Sequence, residues 1–267
     1  MKNFYLLLIL VFAYTASSAQ DSTKMRHFTF DVGLGGAATS FQDVKFSNVR
    51  WSGYGFAPKI EVTWRKKFIH TLGVDGVMDS QQPKTFDGSA KTYMGVVYYK
   101  ILYPLTSDKL YVGAKVEPMD MSLRTITGLE NNGSYLIAGT NVKVVGMFEQ
   151  RINAKWLFNA DLGFQLFSFM NENMSFSYAA AQKILEDEKY QYDEMTAPYY
   201  FAPFWKYLNI ETNINFNYGK RWVFSYVWRM QQSYAVKDYR LTRGYSALMV
   251  SFHIISKNKT PKAKKQK

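Results

Sequence analysis

Cysteine is absent from the chain. Its absence excludes disulfide frameworks, cysteine-bound metals, thiol nucleophiles and a lipid anchor on a mature N-terminal cysteine. Histidine is scarce: the chain has only His27, His70 and His253, and none adjoins a serine or an acid in a recognisable catalytic motif. The nearest approach to a pair is His253 with Ser251 on the same strand face, for which an interfacial structural histidine is the simpler interpretation. The sequence therefore predicts no catalytic residue, no metal and no cofactor.

Long apolar runs are also missing, apart from one near the N-terminus. Phe4–Ala13 is apolar, follows Lys2, and leads into small residues that end at Ala19. A helix that spans a membrane needs about 20 apolar residues. This run is too short for an anchor and instead predicts a signal peptide over residues 1–19. We expect an exported chain without a helical membrane span.

What the sequence does contain is alternation with a period of two, most clearly in the hairpin Lys206–Gln231. In the first strand, apolar residues alternate with asparagines and Glu211; in the second, Trp222, Phe224 and Tyr226 alternate with smaller or polar residues. Such alternation predicts strands with one apolar and one polar face. A soluble sandwich would turn the apolar face to a core, whereas a transmembrane barrel would turn it to lipid.

Ten such segments follow one another, and their connections alternate between short and long. The short turns lie at Lys66-Lys67, Pro104–Lys109, Arg151–Ala154 and Gly219–Arg221. The long loops cover Thr39–Gly53, Ser80–Ala90, Ser122–Ser134, Met170–Pro203 and Gln232–Gly244. This sorting favours a barrel with periplasmic short turns over a Greek-key sandwich. The predicted strands are Phe28–Ala38, Tyr54–Arg65, Phe68–Asp79, Lys91–Tyr103, Leu110–Met121, Tyr135–Gln150, Lys155–Phe169, Phe204–Tyr218, Trp222–Gln231 and Tyr245–Ile255.

The predicted fold is therefore an all-β, antiparallel transmembrane barrel of ten strands. Pro58 and Pro118 fall inside strands, where a missing N–H breaks the ladder, so we expect a bulge or a strand end at each. In the seventh strand, alternation places Leu166 toward lipid and Phe167 toward the lumen. Aromatic residues beside the short turns predict an interfacial girdle at the lipid headgroups: Trp64, Tyr103, Trp156 and Trp222.

If the apolar face meets lipid, seven acids and six bases face the lumen. Ten strands enclose an interior only somewhat wider than that of a side-chain-filled eight-strand barrel. Charges in so narrow a space must be paired to offset their desolvation. We expect a lumen closed by salt bridges and amides, not a diffusion pore. The predicted network consists of Asp31, Lys59, Glu61, Arg65, Asp75, Lys100, Lys115, Glu117, Lys143, Glu149, Asp161, Glu211 and Arg229.

The charge of +12 at pH 7 is distributed unevenly. Basic residues gather at the short turns and in a predicted disordered periplasmic tail over 257–267, while acids such as Asp120 lie in the predicted long loops. The tail either binds anionic lipid, an anionic periplasmic polymer or an acidic partner, or is simply solvated. Nucleic acid is not an expected partner. The tail lysines are Lys257, Lys259, Lys262, Lys264, Lys265 and Lys267.

The long connection between the seventh and eighth strands contains an alanine-rich segment, Ser175–Tyr190, which predicts one short helix. Phe176, Ala180 and Ile184 share one face of this helix. That face either rests on the barrel rim or contacts a partner.

The export signal ending at Ala19-Gln20, the ten amphipathic strands and the aromatic terminal strand Tyr245–Phe252 resemble the small outer-membrane β-barrel proteins of Gram-negative Bacteroidota. The resemblance implies a barrel over residues 20–256, in contact with outer-membrane lipid, and it carries no catalytic motif. Our leading hypothesis is a non-enzymatic structural or accessory subunit of an envelope complex for secretion, uptake or assembly. A narrow transport or ligand-binding barrel is the alternative, and an enzyme acting on surface lipid or peptide is the third.

Overall fold

The computed structural model describes residues 28–43, 47–65, 67–83, 88–105, 109–127, 133–176, 197–219, 221–236 and 239–255. The predicted signal peptide, His27 and the lysine tail lie outside these residues. All regular structure within them is β: β1 (Phe28–Asp43), β2 (Ser47–Arg65), β3 (Ile69–Pro83), β4 (Ser89–Pro104), β5 (Leu110–Thr127), β6 (Gly133–Arg151), β7 (Trp156–Phe176), β8 (Ala197–Pro203), β9 (Tyr207–Tyr218), β10 (Trp222–Val236) and β11 (Tyr239–Ile255).

Ten of these strands form a closed antiparallel ring. Each strand from β1 to β7 pairs with the next, β7 pairs with β9, and β9, β10 and β11 follow until β11 pairs with β1. Following paired residues once round the ring leads from Ala160 to Asn173, 13 residues further along β7. A stagger of this kind requires strands tilted from the barrel axis. The predicted ten-strand barrel is confirmed.

The eighth wall strand is split into two pieces. β8 pairs with the C-terminal part of β7, and the chain then turns at Phe204–Lys206. β9 pairs with the N-terminal part of β7. The turn leaves the Tyr207 carbonyl without a partner in the ladder, and the buried Gln165 side chain donates to it at 2.8 Å. Among the described residues, β8 pairs with β7 alone.

The strands are longer than the alternation predicted. Four of the five predicted long loops are mostly strand: of Thr39–Gly53, for example, residues 39–43 belong to β1 and 47–53 to β2. A bilayer needs only about 9–11 residues of tilted strand. On β2 the outward residues are apolar from Trp64 to Tyr54 and polar beyond it, at Ser52 and Arg50. The strands therefore extend beyond the membrane at the end away from the short turns.

The predicted start of the helix Ser175–Tyr190 is wrong, because Ser175 and Phe176 are the last residues of β7. They pair with Ser134 and Gly133 on β6. The rest of the predicted helix lies outside the described residues.

The two strand prolines behave differently. At Pro118 the register with both β4 and β6 shifts by one residue, so β5 carries the predicted bulge there. At Pro58 the register with β1 and β3 is unchanged, and the prediction of a bulge or strand end is wrong. Two pairs of the β2–β3 ladder are missing at this point, because proline has no N–H to donate.

Bulges also change which side chains face inward. The extra residue in β5 places both Glu117 and Asp120 in the lumen, so Asp120 is not the surface acid of a long loop. A second bulge, between β6 and β7, moves Phe167 onto the outer face, where its ring lies 5.8 Å from that of Phe201. Its predicted inward orientation is therefore wrong. Elsewhere, as in β9 and β10, inside and outside alternate as the sequence predicts.

The lumen contains apolar layers as well as polar ones. One cluster at the end away from the short turns includes Phe41, Trp51 and Tyr207, and the Arg124 guanidinium stacks 3.5 Å from the Phe41 ring centre. Near the short turns, Ile69, Leu102, Tyr111, Val145 and Met147 form another. Salt bridges and amides thus fill only part of the lumen.

Candidate functional site: the charged lumen

A cluster of buried charges crosses the middle of the lumen. The Glu117 carboxylate on β5 lies 2.8 Å from Lys143 Nζ and 2.7 Å from Arg229 Nη2. The Glu211 carboxylate on β9 lies 2.6 Å from the Nζ of Lys143 and 2.6 Å from that of Lys115. Because β5 and β6 contribute from one side and β9 and β10 from the other, these ion pairs tie opposite walls together.

Asp120 extends the cluster toward the end away from the short turns. Its Oδ2 accepts hydrogen bonds from Asn141 at 2.8 Å, Arg229 at 2.9 Å and Gln231 at 2.8 Å. Its Oδ1 lies 3.6 Å from Arg243 Nη2. Arg243 was missed by the sequence argument because it lies in a predicted long loop, although its place in the period-two pattern of β11 is visible once that strand is extended.

Separate ion pairs line the lumen between this central cluster and the short turns. Arg65 makes a bidentate pair with Glu149, at 2.9 and 2.7 Å. Lys100 lies 2.7 Å from Asp161, and Lys59 lies 2.8 Å from Glu61. Partners in these pairs come from strands two or more positions apart, except Lys59 and Glu61, which are both on β2.

Glu61 also accepts a hydrogen bond from the Tyr98 hydroxyl at 2.7 Å, and Gly73 makes that contact possible. Gly73 lies between them in the sheet, opposite Glu61 on one side and Tyr98 on the other. A Cβ on Gly73 would meet the Tyr98 ring at 2.4 Å. The missing side chain lets Tyr98 lie across the glycine and reach the carboxylate.

His253 is not the interfacial histidine suggested by the sequence. It is buried and faces the lumen, where its Nδ1 contacts Asp31 Oδ1 on β1 and its Nε2 lies 3.1 Å from Asn217 Oδ1. Ser251 is buried on the same face, and no hydrogen bond joins it to His253 among the described contacts. The two ring nitrogens of His253 are directed at Asp31 and Asn217.

Asp75 is the one member of the predicted network outside the described ion pairs. Its Oδ1 is buried and has no hydrogen-bond partner in the described part of the chain. The central cluster contains the bases Lys115, Lys143, Arg229 and Arg243 and the acids Glu117, Asp120 and Glu211. This set thus has four basic and three acidic side chains.

The four aromatic residues of the predicted girdle lie next to the short turns. Trp64 stacks on His70 at 5.2 Å between ring centres, and Trp156 packs against Tyr218 at 4.7 Å. Tyr103 and Trp222 are about half exposed on the outer surface. His70 therefore belongs to the outer aromatic ring, where its Nδ1 bonds to the Tyr99 hydroxyl at 2.7 Å.

No protein-family model and no curated protein matches this chain. Solved structures do resemble it. The outer membrane protease OmpT from Escherichia coli has a TM-score of 0.50 at 9% identity, covering 89% of this chain and 99% of OmpT. The translocator domain of autotransporter NalP from Neisseria meningitidis reaches 0.47 at 10% identity, covering 94% of this chain and 96% of the domain. Ail from Yersinia pestis reaches 0.36 at 11% identity, covering 86% and 100%.

The chain has the fold of an outer-membrane β-barrel. The likeness to OmpT and the closed ten-strand ring agree on this architecture. Large apolar side chains such as Leu34, Ile60 and Leu72 are exposed on the outside while charges are buried inside, the inverse of a soluble protein. The protein is therefore located in the cell outer membrane, and its apolar surface contacts lipid.

The described residues contain no helix with the length and apolarity to cross a bilayer. They also contain no group of three or more histidine, cysteine or acidic side chains arranged to hold a metal ion.

Proposed function

We propose that the protein is a non-enzymatic outer-membrane barrel, of the kind found in Bacteroidota, that serves as a structural or accessory subunit of an envelope complex for secretion, uptake or assembly. The observation that carries the proposal is the tie across the lumen. Glu117, Lys143 and Glu211 are almost completely buried and join opposite walls, with apolar clusters above and below them. An interior used in this way stabilises the barrel and leaves its surfaces for partners.

The same proposal covers the parts of the chain outside the described residues. Residues 1–19 act as an export signal, and the barrel occupies residues 20–256. The lysine tail over 257–267 remains in the periplasm, where it binds an anionic polymer or lipid headgroup. The aromatic girdle formed by Trp64, Tyr103, Trp156 and Trp222 anchors the barrel at the periplasmic headgroups.

Conductance separates this proposal from a narrow transport barrel. Purified protein inserted into a planar bilayer is expected to give no reproducible single-channel steps, because the charge cluster and apolar layers occupy the lumen. A general porin inserted in the same membrane serves as the positive control. Regular steps from the wild-type barrel would contradict a closed lumen and support transport.

Native purification tests the complex itself. Tagged protein extracted from its own membranes in mild detergent is expected to elute above the monomer size with defined partners, identified by mass spectrometry. A variant with the six tail lysines replaced by serine shows whether the tail holds any of them. Recovery of the monomer alone, at native expression levels, would overturn the role as a subunit.

A further inference from the structure

Among the described residues, the charged side chains that face the lumen are partly exposed near the short turns and fully buried further in. The side chains of Arg65, Lys59, Glu61 and Lys100 are 20, 15, 17 and 14% exposed, whereas those of Lys143 and Glu117 are 0% exposed. Along β9, the inward residues are buried as far as Glu211 and half-buried from Asn213 to Asn217. These values define a polar vestibule beside β9 that faces the periplasm and ends at the central charge cluster. At the same end, the apolar cluster of Ile69, Leu102, Tyr111, Val145 and Met147 fills the lumen beside β3 to β6.

One wall of this vestibule is a ladder of asparagines on β9. Asn213, Asn215 and Asn217 point inward at alternate positions. Their Nδ2 groups donate to Asp161 Oδ1 at 2.7 Å, Asn159 Oδ1 at 2.7 Å and the Leu157 carbonyl at 3.3 Å, all on β7. The three amides are thereby held in fixed orientations. No described group donates to the Oδ1 of Asn213 or Asn215, so both remain available as acceptors.

The spacing of the ladder matches an extended polypeptide. Alternate residues of a strand lie about 6.6–6.8 Å apart, and the backbone amides on one side of an extended peptide recur at the same distance. An asparagine side chain offers both an acceptor and a donor, as a peptide group does. A peptide lying along β9 would thus meet a matching hydrogen-bonding group at every second residue.

The rim around the vestibule is basic. Among the described residues of the four short turns the charged side chains are Lys67, Lys109, Lys155 and Arg221, and Arg151 at the end of β6 adds a fifth base. Apart from Lys109 these are exposed, and none of the described turn residues is acidic. Such a ring attracts an anionic segment and raises its rate of association.

We propose that the periplasmic vestibule binds an extended acidic peptide segment of a periplasmic partner, with its backbone on the asparagine ladder and its carboxylates on the basic rim. This deepens the proposed role as a subunit and rests on it for the identity of the partner. An acidic peptide fits better than an acidic glycan because the ladder repeats at the interval of a peptide backbone.

The test measures fluorescence anisotropy of a labelled peptide of about nine residues, alternating Glu and Ala, titrated with the whole purified barrel in lipid nanodiscs. Saturable binding is expected. The double variant Asn213→Ala/Asn215→Ala and the double variant Lys155→Glu/Arg221→Glu should each weaken it roughly tenfold or more. Lys91→Glu/Lys206→Glu, which changes exposed lysines away from the short turns, should leave it unchanged.

A second measurement changes the ligand instead of the protein, so it does not depend on the folding of any variant. The same peptide with N-methyl groups at alternate backbone nitrogens keeps its charge but loses donors to the ladder, and should bind wild-type protein roughly tenfold less tightly. Equal affinity for the methylated peptide, or equal weakening by the Lys91/Lys206 pair, would reduce the effect to general charge attraction and overturn the site.

Cell-wall glycan fragments, titrated in parallel, distinguish the other class of ligand: if they bind and the peptide does not, the peptide assignment is wrong. Because these titrations use purified protein, they are independent of native purification. If partners co-purify but the peptide does not bind, only the proposed peptide site in the vestibule is wrong. If the protein purifies as a lone monomer but binds the peptide, only the proposed role as a subunit is wrong.

Discussion

At the scale of single residues, Glu117 shows how closely a buried charge depends on its partners. Lys143, Arg229 and Lys115 all lie within 3.1 Å of its carboxylate, and the side chain has no exposed surface. Buried ion pairs repay their desolvation only when each charge keeps its partners. The identity of Glu117 is therefore fixed by three bases that come from three different strands.

Replacing Glu117 with glutamine is expected to lower the free energy of unfolding by about 3–5 kcal/mol, because three buried cations lose one shared counter-charge. Urea unfolding of the barrel in lipid vesicles measures the change. Lys91→Gln, at an exposed position on β4, is the matched control and should stay within about 0.5 kcal/mol of the wild type.

A double variant tests the reason for that loss. Glu117→Leu with Lys143→Met removes one charge of each sign, and apolar side chains of similar volume often replace a buried pair at little cost. We expect it to be more stable than Glu117→Gln. A double variant less stable than the single one would mean that packing geometry, and not charge balance, fixes this position.

The direction in which a side chain faces was predictable wherever it follows from the alternation of polar and apolar residues. Period two assigns Lys115, Lys143, Glu211 and Arg229 to an inward face from sequence alone. Which acid meets which base across the lumen was not predictable, because the partners that join opposite walls lie 68 to 112 residues apart in sequence. Only closure of the ring brings β5 and β6 opposite β9 and β10.

At the scale of elements, the bulge at Pro118 determines the second half of β5. It inserts one residue against both neighbours, so that Asp120, Ser122 and Arg124 face the lumen instead of the lipid. Without it, the same stretch would place two charges in the outer apolar band. The exposed methionines Met119 and Met121 take those outward positions.

Deletion of Pro118 is therefore expected to leave the barrel folded. Removing the extra residue restores a regular ladder with β4 and β6, and Glu117 and Asp120 both stay inward. Deletion of Val227, where β10 keeps an unbroken register with both β9 and β11, is the control. It reverses the faces of every residue on one side of the cut, and should abolish folding. The heat-dependent shift of the folded barrel on gel electrophoresis reports both outcomes.

The elements were predicted well at the short turns and poorly at the other end. Gly219, with φ at +60°, and the flanking alternation define the β9–β10 hairpin clearly. Beyond the lipid-facing band, as at Ser52 and Ser80, the outward residues become polar and the alternation fades, so strand was read as loop. The strands there are stabilised by hydrogen bonds to neighbouring strands, and a local sequence pattern does not predict these bonds.

At the scale of the whole molecule, the outer surface divides into an apolar band and a polar extension. On β2 the apolar outward residues run from Trp64 to Tyr54, 11 positions that fit one bilayer crossing. Ile60 lies near the middle of this band and Ser52 beyond its edge. The height of the band fixes where lipid ends along every strand.

Arginine substitutions measure that boundary. Ile60→Arg places a cation near the bilayer centre and is expected to cost about 2–4 kcal/mol of folding free energy. Ser52→Arg, on the same strand and face, should cost less than about 1 kcal/mol because it lies outside the hydrocarbon. Equal effects at the two positions, measured by reversible unfolding in vesicles, would contradict the assigned membrane position.

The sequence by itself determined the strand count, the inward and outward faces, the end that carries the short turns and the membrane location, because these follow from local alternation and turn length. The tertiary structure alone decided the ion-pair partners, the lumen environment of His253, the bulges that turn Asp120 inward and Phe167 outward, and the extension of the strands beyond the membrane. These depend on closing a staggered ring, which brings residues far apart in sequence to the same level of the lumen, where burial makes unpaired charges too costly to keep.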